Sequence, residues 1–223
     1  CEALLEQAAG ITLVSHTLQV GGAKVPEGAG LPTPADGAAL DSDPLRCFHA
    51  EASKAMVAEV DAAKKDGDTL GGIVEVLAYG VPVGLGSHTQ WNRKLDGRLA
   101  QAVMSIQAMK GVEIGEGFAN AGRRGSLAHD EILLGGHGPA NTHRASNRAG
   151  GTEGGISNGE LIAVRGALKP ISTVPRALRT IDTATGGEAT ANHQRSDVCA
   201  VAPAAVIAEA MVCLLYTSDA ADE

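Results

Sequence analysis

At 223 residues, with 44% hydrophobic and 20% charged residues, the chain has the composition of a globular protein able to bury a sizeable core. A formal net charge of −8 excludes a general nucleic-acid or membrane-surface binder, which needs a basic face, but not a local basic pocket for a small anion. Aromatic residues make up only 2%, too few for base-stacking platforms, and no apolar run reaches the ~20 residues that span a bilayer.

Residues 2–9 carry apolar side chains at helical spacing and stop at Gly10, a residue type suited to the left-handed position after a helix. ITLVSHTLQVGG reads as a strand closed by turn glycines. Residues 26–43, rich in Pro, Gly, Ala and Asp, read as a loop. DPLRCFHAEASKAMVAEVDAAKKDGD contains an amphipathic helix closed by KKDGD, and TLGGIVEVLAYGVPVGLG is a β-rich, buried run. KLDGRLAQAVMSIQAMKG puts Leu95, Leu99, Val103 and Ile106 on one helical face, with Gln107 and Lys110 near the helix end and Gly111 as its stop.

VEIGEGFANAGRRGS predicts a short strand followed by loop. Residues 134–155, dense in Gly, Asn, His and Arg, predict an exposed or ligand-covering loop. GELIAVRGALKPIST is a strand by its alternation. QRSDVCAVAPAAVIAEAMV then leads from a capping residue, Ser196 or Asp197, into a last helix. Strands and helices alternate, which predicts an α/β (α+β) fold in one domain. The four cysteines form no CxxC pair and show no metal spacing, consistent with a reducing cytoplasm. The last eleven residues, CLLYTSDAADE, break the preceding pattern and resemble a translated sequencing adapter. The natural domain is therefore expected over 1–212, with 213–223 as a non-native tail.

Four stretches carry chemistry. KPIST, residues 169–173, sets a lysine at a strand end, then a proline, then two hydroxyls; this suits an anion, although an ordinary strand exit with a surface lysine has the same pattern. Arg165, Lys169, Arg176, Arg179 and Arg195 fall within a short span, either a basic cluster for a polyanionic substrate or a solvated face. In HQRSD, residues 193–197, one residue serves as a cap, which leaves His193, Gln194 and Arg195 to explain. Arg195 has the chemistry to clamp a carboxylate or phosphate, and Asp197 or His193 to move a proton. NRAGGTEGGISNGE is glycine-rich without being the GxGxxG of a dinucleotide fold; it is either a plain loop or a close backbone approach to a ligand.

Together these stretches resemble the chorismate synthase family. AAKKDGDTLGGIVEV, GLGSHTQWNRKLDGRLAQAVMSIQAMKGVEIGEGF, NRAGGTEGGISNGE, ALKPISTVPRALRTID and HQRSDVCAVAPAAVIAEAMV occur in the family's order and cover most of residues 60–212. The resemblance implies the C-terminal part of a sandwich-core enzyme. Such an enzyme is a lyase that converts 5-enolpyruvylshikimate-3-phosphate to chorismate and phosphate with reduced FMN, fed by an external flavin reductant. A cytoplasmic homotetramer is also implied. Flavin contacts then fall on Gln107, Ala108, Gly154, Lys169, Pro170, Ile171, Ser172, Thr173 and Arg195, and a proton-handling acid on Asp197. The family's N-terminal histidine and arginine motifs are missing, so this chain alone is expected to be inactive and poorly folded. The alternatives are a non-catalytic flavin- or phosphate-binding module, and a flavin-free enzyme acting on another phosphorylated carboxylate.

Overall fold

The fold is described from a computed structural model, which covers all residues except Pro139, Arg195, Ser196, Asp222 and Glu223; for His137 and residues 217–221 the backbone alone is described. Helix α1 (Glu2–Ala9) stops at Gly10, whose φ of 68° opens the turn into β1 (Thr12–Val20). The two-residue β2 (Ala23–Lys24) folds back on β1. Residues 26–43 are not one loop: a single 3-10 turn (Pro34–Asp36), boxed by Thr33 and Asp36, starts the short α2 (Gly37–Ser42). The proline and the Thr-x-x-Asp pattern that look like loop signals are helix-start signals here. Helix α3 (Ala50–Asp66) and β3 (Gly72–Tyr79) follow as expected.

Helix α4 (Leu95–Met104) ends earlier than its periodicity predicts. The chain turns through residues 105–108 and enters β4 (Met109–Ile114), so Gln107 lies beyond the helix and Lys110 and Gly111 lie in a strand. Ile106 continues the apolar face as a turn residue packed on the core. Short helices α5 (Gly117–Ala121) and α6 (Gly125–Ala128) replace the loop expected after β4. The glycine-rich stretch holds two small hairpins, β5 (Ile132–Gly138) with β6 (Thr142–Arg144), and β7 (Thr152–Glu153) with β8 (Ile156–Ser157). After β9 (Ile162–Leu168), β10 (Arg179–Ile181) and β11 (Glu188–Thr190) form an exposed hairpin, and α7 (Val201–Ala221) closes the chain. Helix α7 starts four residues after Asp197, so Asp197 is not its cap; Ser196 lies outside the described residues.

The main sheet has the order β2-β1-β3-β9-β4, with every neighbour antiparallel. The helices are segregated onto the sheet rather than wound through it, which is the α+β arrangement. On one face Leu13, Val74, Val76, Ile162, Val164 and Leu168 pack against α7, α4 and α1. Leu95, Leu99 and Val103 of α4 are buried at the expected helical spacing. Helix α7 runs past residue 212 without a break, and Cys213 and Tyr216 are buried in the same core. On the other face Val14 and Leu77 meet Leu40 of α2 in a smaller cluster. Among the described residues, no helix is long and apolar enough to cross a membrane.

Candidate active site

Two of the chemistry-bearing stretches, KPIST and the end of HQRSD, meet residues 107–108 at one place, the strand entry formed by residues 67–72. Beyond β9 the chain leaves the ladder at Lys169, whose backbone N–H donates to the Ala108 carbonyl at 3.0 Å. Ala108 holds a φ of 67°, a left-handed conformation that costs a non-glycine residue about 1 kcal/mol and lets the chain reverse between α4 and β4. Thr69, only 5% exposed, donates its hydroxyl to the Ile171 carbonyl at 2.7 Å. The Leu70 N–H donates to the Val198 carbonyl at 2.8 Å, next to Asp197, and Leu70 bridges Cys199 in parallel. The Arg176 N–H donates to the Gly67 carbonyl at 2.7 Å. A Cβ on Gly71 would lie 2.2 Å from the Leu168 carbonyl oxygen and 2.9 Å from Pro170 N, so only glycine allows the approach.

The rim of this junction is polar and open. Gln107, Lys169, Pro170, Ser172 and Asp197 are exposed, while Ala108, Ile171 and Thr173 are half-buried. Among the described residues, no hydrogen bond or ion pair engages the side chains of Lys169, Ser172 or Asp197, and the backbone N–H groups of Ile171, Ser172 and Thr173 find no backbone acceptor. The Thr173 hydroxyl is buried without a partner among the described residues. An ammonium, two hydroxyls and three consecutive N–H groups without a backbone acceptor among the described residues fall in this one segment, and these are donor types that an anionic group takes. Beside it lies a hollow of 320 Å³ lined by Gln19, Leu70, Gly71, Leu168 and Pro170.

Gly154 is elsewhere. It occupies the β7–β8 turn with a φ of 63°, and the adjacent Gly155 carbonyl accepts from the Leu95 N–H at 2.8 Å, at the start of α4. Helix α4, ten residues and so about 15 Å long, separates Gly154 from Gln107 and Ala108. Glu153 and Ile156, close to Gly154 in the same hairpin, line a cavity of 1060 Å³. Asp130 ties itself to residues 146–149, accepting from Ser146 Oγ at 2.5 Å and from the backbone N–H groups of Arg148 and Ala149, both at 2.9 Å. Burial raises the Asp130 carboxyl, but these donors and the Arg148 guanidinium outweigh it and hold its pKa below the ordinary aspartate value. Arg195 lies outside the described residues.

The expected basic cluster does not form as one surface. Arg165 is taken up by carboxylates of the sheet: its guanidinium donates to Glu75 at 2.7 Å and to Glu113 at 3.2 Å. Arg179 pairs with Glu188 across the β10–β11 hairpin. The reason is register: His16 faces Glu75, Glu75 faces Arg165, and Arg165 faces Glu113 on successive strands. Sequence reading missed this row because its paired members lie 52 to 90 residues apart, and the strand alternation that aligns them says nothing of which strands pair. His16 Nε2 and Glu75 are 3.0 Å apart, and His16 Nδ1 is buried without a partner among the described residues. The row lines a 630 Å³ cavity that shares Gln19 and Ile73 with the 320 Å³ hollow. Reading also passed over Thr69 and Asp130; the sole signal for Thr69 was a small polar residue inside the glycine-flanked GDTLGG.

The family model described as Chorismate synthase matches residues 1–220. The chain is 66% identical over 213 residues to the chorismate synthase of Beutenbergia cavernae, covering 96% of this chain and 53% of that protein. It is 60% identical over 219 residues to that of Streptomyces coelicolor, covering 98% and 55%. A crystal structure of chorismate synthase superposes with a TM-score of 0.79 at 38% identity, covering 98% of this chain and 59% of the other. The chain thus spans about half the length of the relatives it matches.

Proposed function

Since the chain belongs to the chorismate synthase family, we propose that it forms, within a protein about twice its length, the flavin- and phosphate-facing part of a lyase. The reaction converts 5-enolpyruvylshikimate-3-phosphate to chorismate: the ring C–O bond to phosphate breaks, a ring proton leaves on the opposite face, and a double bond forms. The observation that supports this best is the junction at residues 67–72, which gathers residues 107–108, 169–173 and 197–199 at one rim.

Reduced FMN, when bound, would lend the unsaturated substrate an electron transiently, easing departure of the phosphate with its C–O bonding pair, and would recover it afterwards. The residues of the rim fit such a ligand: a buried orphan hydroxyl on Thr173, the Lys169 ammonium and free N–H groups match an anionic, oxygen-rich molecule. Lys169 provides a point charge and residues 170–173 the backbone and hydroxyl donors. Gln107 and Ala108 border the same rim. Gly154 contacts flavin in this reading from the far end of α4. Arg195 is assigned to anion binding, and Asp197, exposed at the rim, to holding a proton at the flavin edge. The whole protein works in the cytoplasm as a homotetramer supplied by an external flavin reductant, and the 223-residue chain alone is inactive.

The full-length protein, assayed anaerobically with the phosphate ester and reduced FMN, is expected to form chorismate and phosphate in equal amounts. Lys169→Ala is expected to weaken FMN binding, and Asp197→Asn to lower turnover at unchanged FMN affinity. A folded protein that binds FMN without turnover would instead be the non-catalytic binding module. Turnover without flavin would remove the cofactor from the proposal.

A further inference from the structure

We propose that Thr69 is a positioning residue for the anion-facing segment, acting through the peptide between Ile171 and Ser172. The inference rests on the reading of residues 169–173 as a flavin-binding segment. Past Leu168 the chain has left the sheet, and Pro170 has no N–H to tether it. Its backbone is held at Lys169 by the Ala108 carbonyl and at Arg176 by the Gly67 carbonyl. Between those points the one side-chain bond among the described residues is the Thr69 hydroxyl on the Ile171 carbonyl, at 2.7 Å.

That single bond sets a direction. Among the described residues no peptide bond is cis, and in a trans peptide the C=O and the following N–H point in opposite senses. With the Ile171 oxygen drawn inward to Thr69, the Ser172 N–H must point away from residue 69, and Lys169 and Ser172 on the same segment are exposed. A peptide free to rotate would spread that donor over many orientations, and ligand binding would then have to order it. Gly71 makes the tether reachable, because any Cβ there would push residues 168–170 outward. Thr69 is 5% exposed, so its hydroxyl has no competing solvent to satisfy it.

The test compares Thr69→Val, which keeps the shape and removes the donor, with Thr69→Ser, which restores it, in the full-length protein. One readout needs no ligand: amide hydrogen exchange at Lys169 and Arg176, the two bonded amides that flank the segment. Exchange about tenfold faster in Thr69→Val and restored in Thr69→Ser is expected from loss of one buried hydrogen bond. Equal exchange in all three proteins overturns the tether, whatever flavin does. The second readout is FMN affinity and the shift of the flavin absorbance band on binding. Thr69→Val is expected to bind about tenfold more weakly with a smaller band shift, and Thr69→Ser as wild type. Wild-type affinity and band shift in a loosened Thr69→Val overturn the ligand-positioning role. If Thr69→Val does not fold, Thr69→Ala carries both readouts. Absence of FMN binding by the wild type would instead refute the flavin reading, and the exchange arm would still decide the tether.

Discussion

One polar region of this chain lies on the main sheet and the other just past its strand ends, and the two are built in opposite ways. In the row from His16 to Glu113, charges sit next to one another across four strands, and Glu75 at its centre is 1% exposed. At the rim formed by residues 107–108, 169–173 and 197, the charged groups are exposed and unengaged among the described residues. Removing a charge from water is costly, so a buried one persists only with partners that repay the loss. An exposed one keeps its hydration and remains available to a ligand. Burial and pairing therefore separate the part of the polar inventory that holds the fold from the part that can bind.

The largest expected effect that would break this comparison is at the centre of the row. Glu75→Ala leaves Arg165 and His16 without their shared acceptor and is expected to cost about 3 kcal/mol, measured by urea denaturation. A cost near zero would mean that the row is no more structural than the rim. The next is a pH effect. Burial raises the Glu75 carboxyl, but the His16 hydrogen bond and the Arg165 charge outweigh it, so its folded pKa lies below the ordinary 4.5. A carboxyl depressed in the folded state contributes stability above its unfolded value, and that contribution disappears as pH falls through the folded value. Stability should therefore fall below about pH 4.5, and Glu75→Gln should show a shallower acid slope; identical slopes would remove Glu75 from the balance. The smallest effect belongs to the rim. Lys169→Ala is expected to change stability by no more than about 0.5 kcal/mol in the same denaturation experiment, and a larger loss would show that this lysine is structural.

Much of the fold was legible locally. Gly10 and Gly67 both stop helices with a φ of 68°, and the apolar spacing in α4 marks its buried face. Periodicity failed where a turn continued the pattern: Ile106 is apolar and packed on the core, yet it lies past the helix end. The site was legible as segments and not as geometry. KPIST and HQRSD were recognisable, but Thr69 was not, because its role depends on a carbonyl 102 positions away. Arg165 was grouped with Lys169 by sequence proximity, although the pleat of β9 and the pairing with β3 assign it to the glutamates.

By itself the sequence determined the helix stops, the strand alternation and the types of polar group available, because each depends on a side chain and its immediate backbone. It also carried the motif order that places the chain in its family. Only the tertiary structure decided which charges are neutralised and which stay open. That outcome depends on strand register, which aligns His16, Glu75, Arg165 and Glu113 to the residue, and on the close approach at Gly71 that brings Thr69 beneath Ile171. A one-residue slip in that register would turn every side chain of the shifted strand to the opposite face.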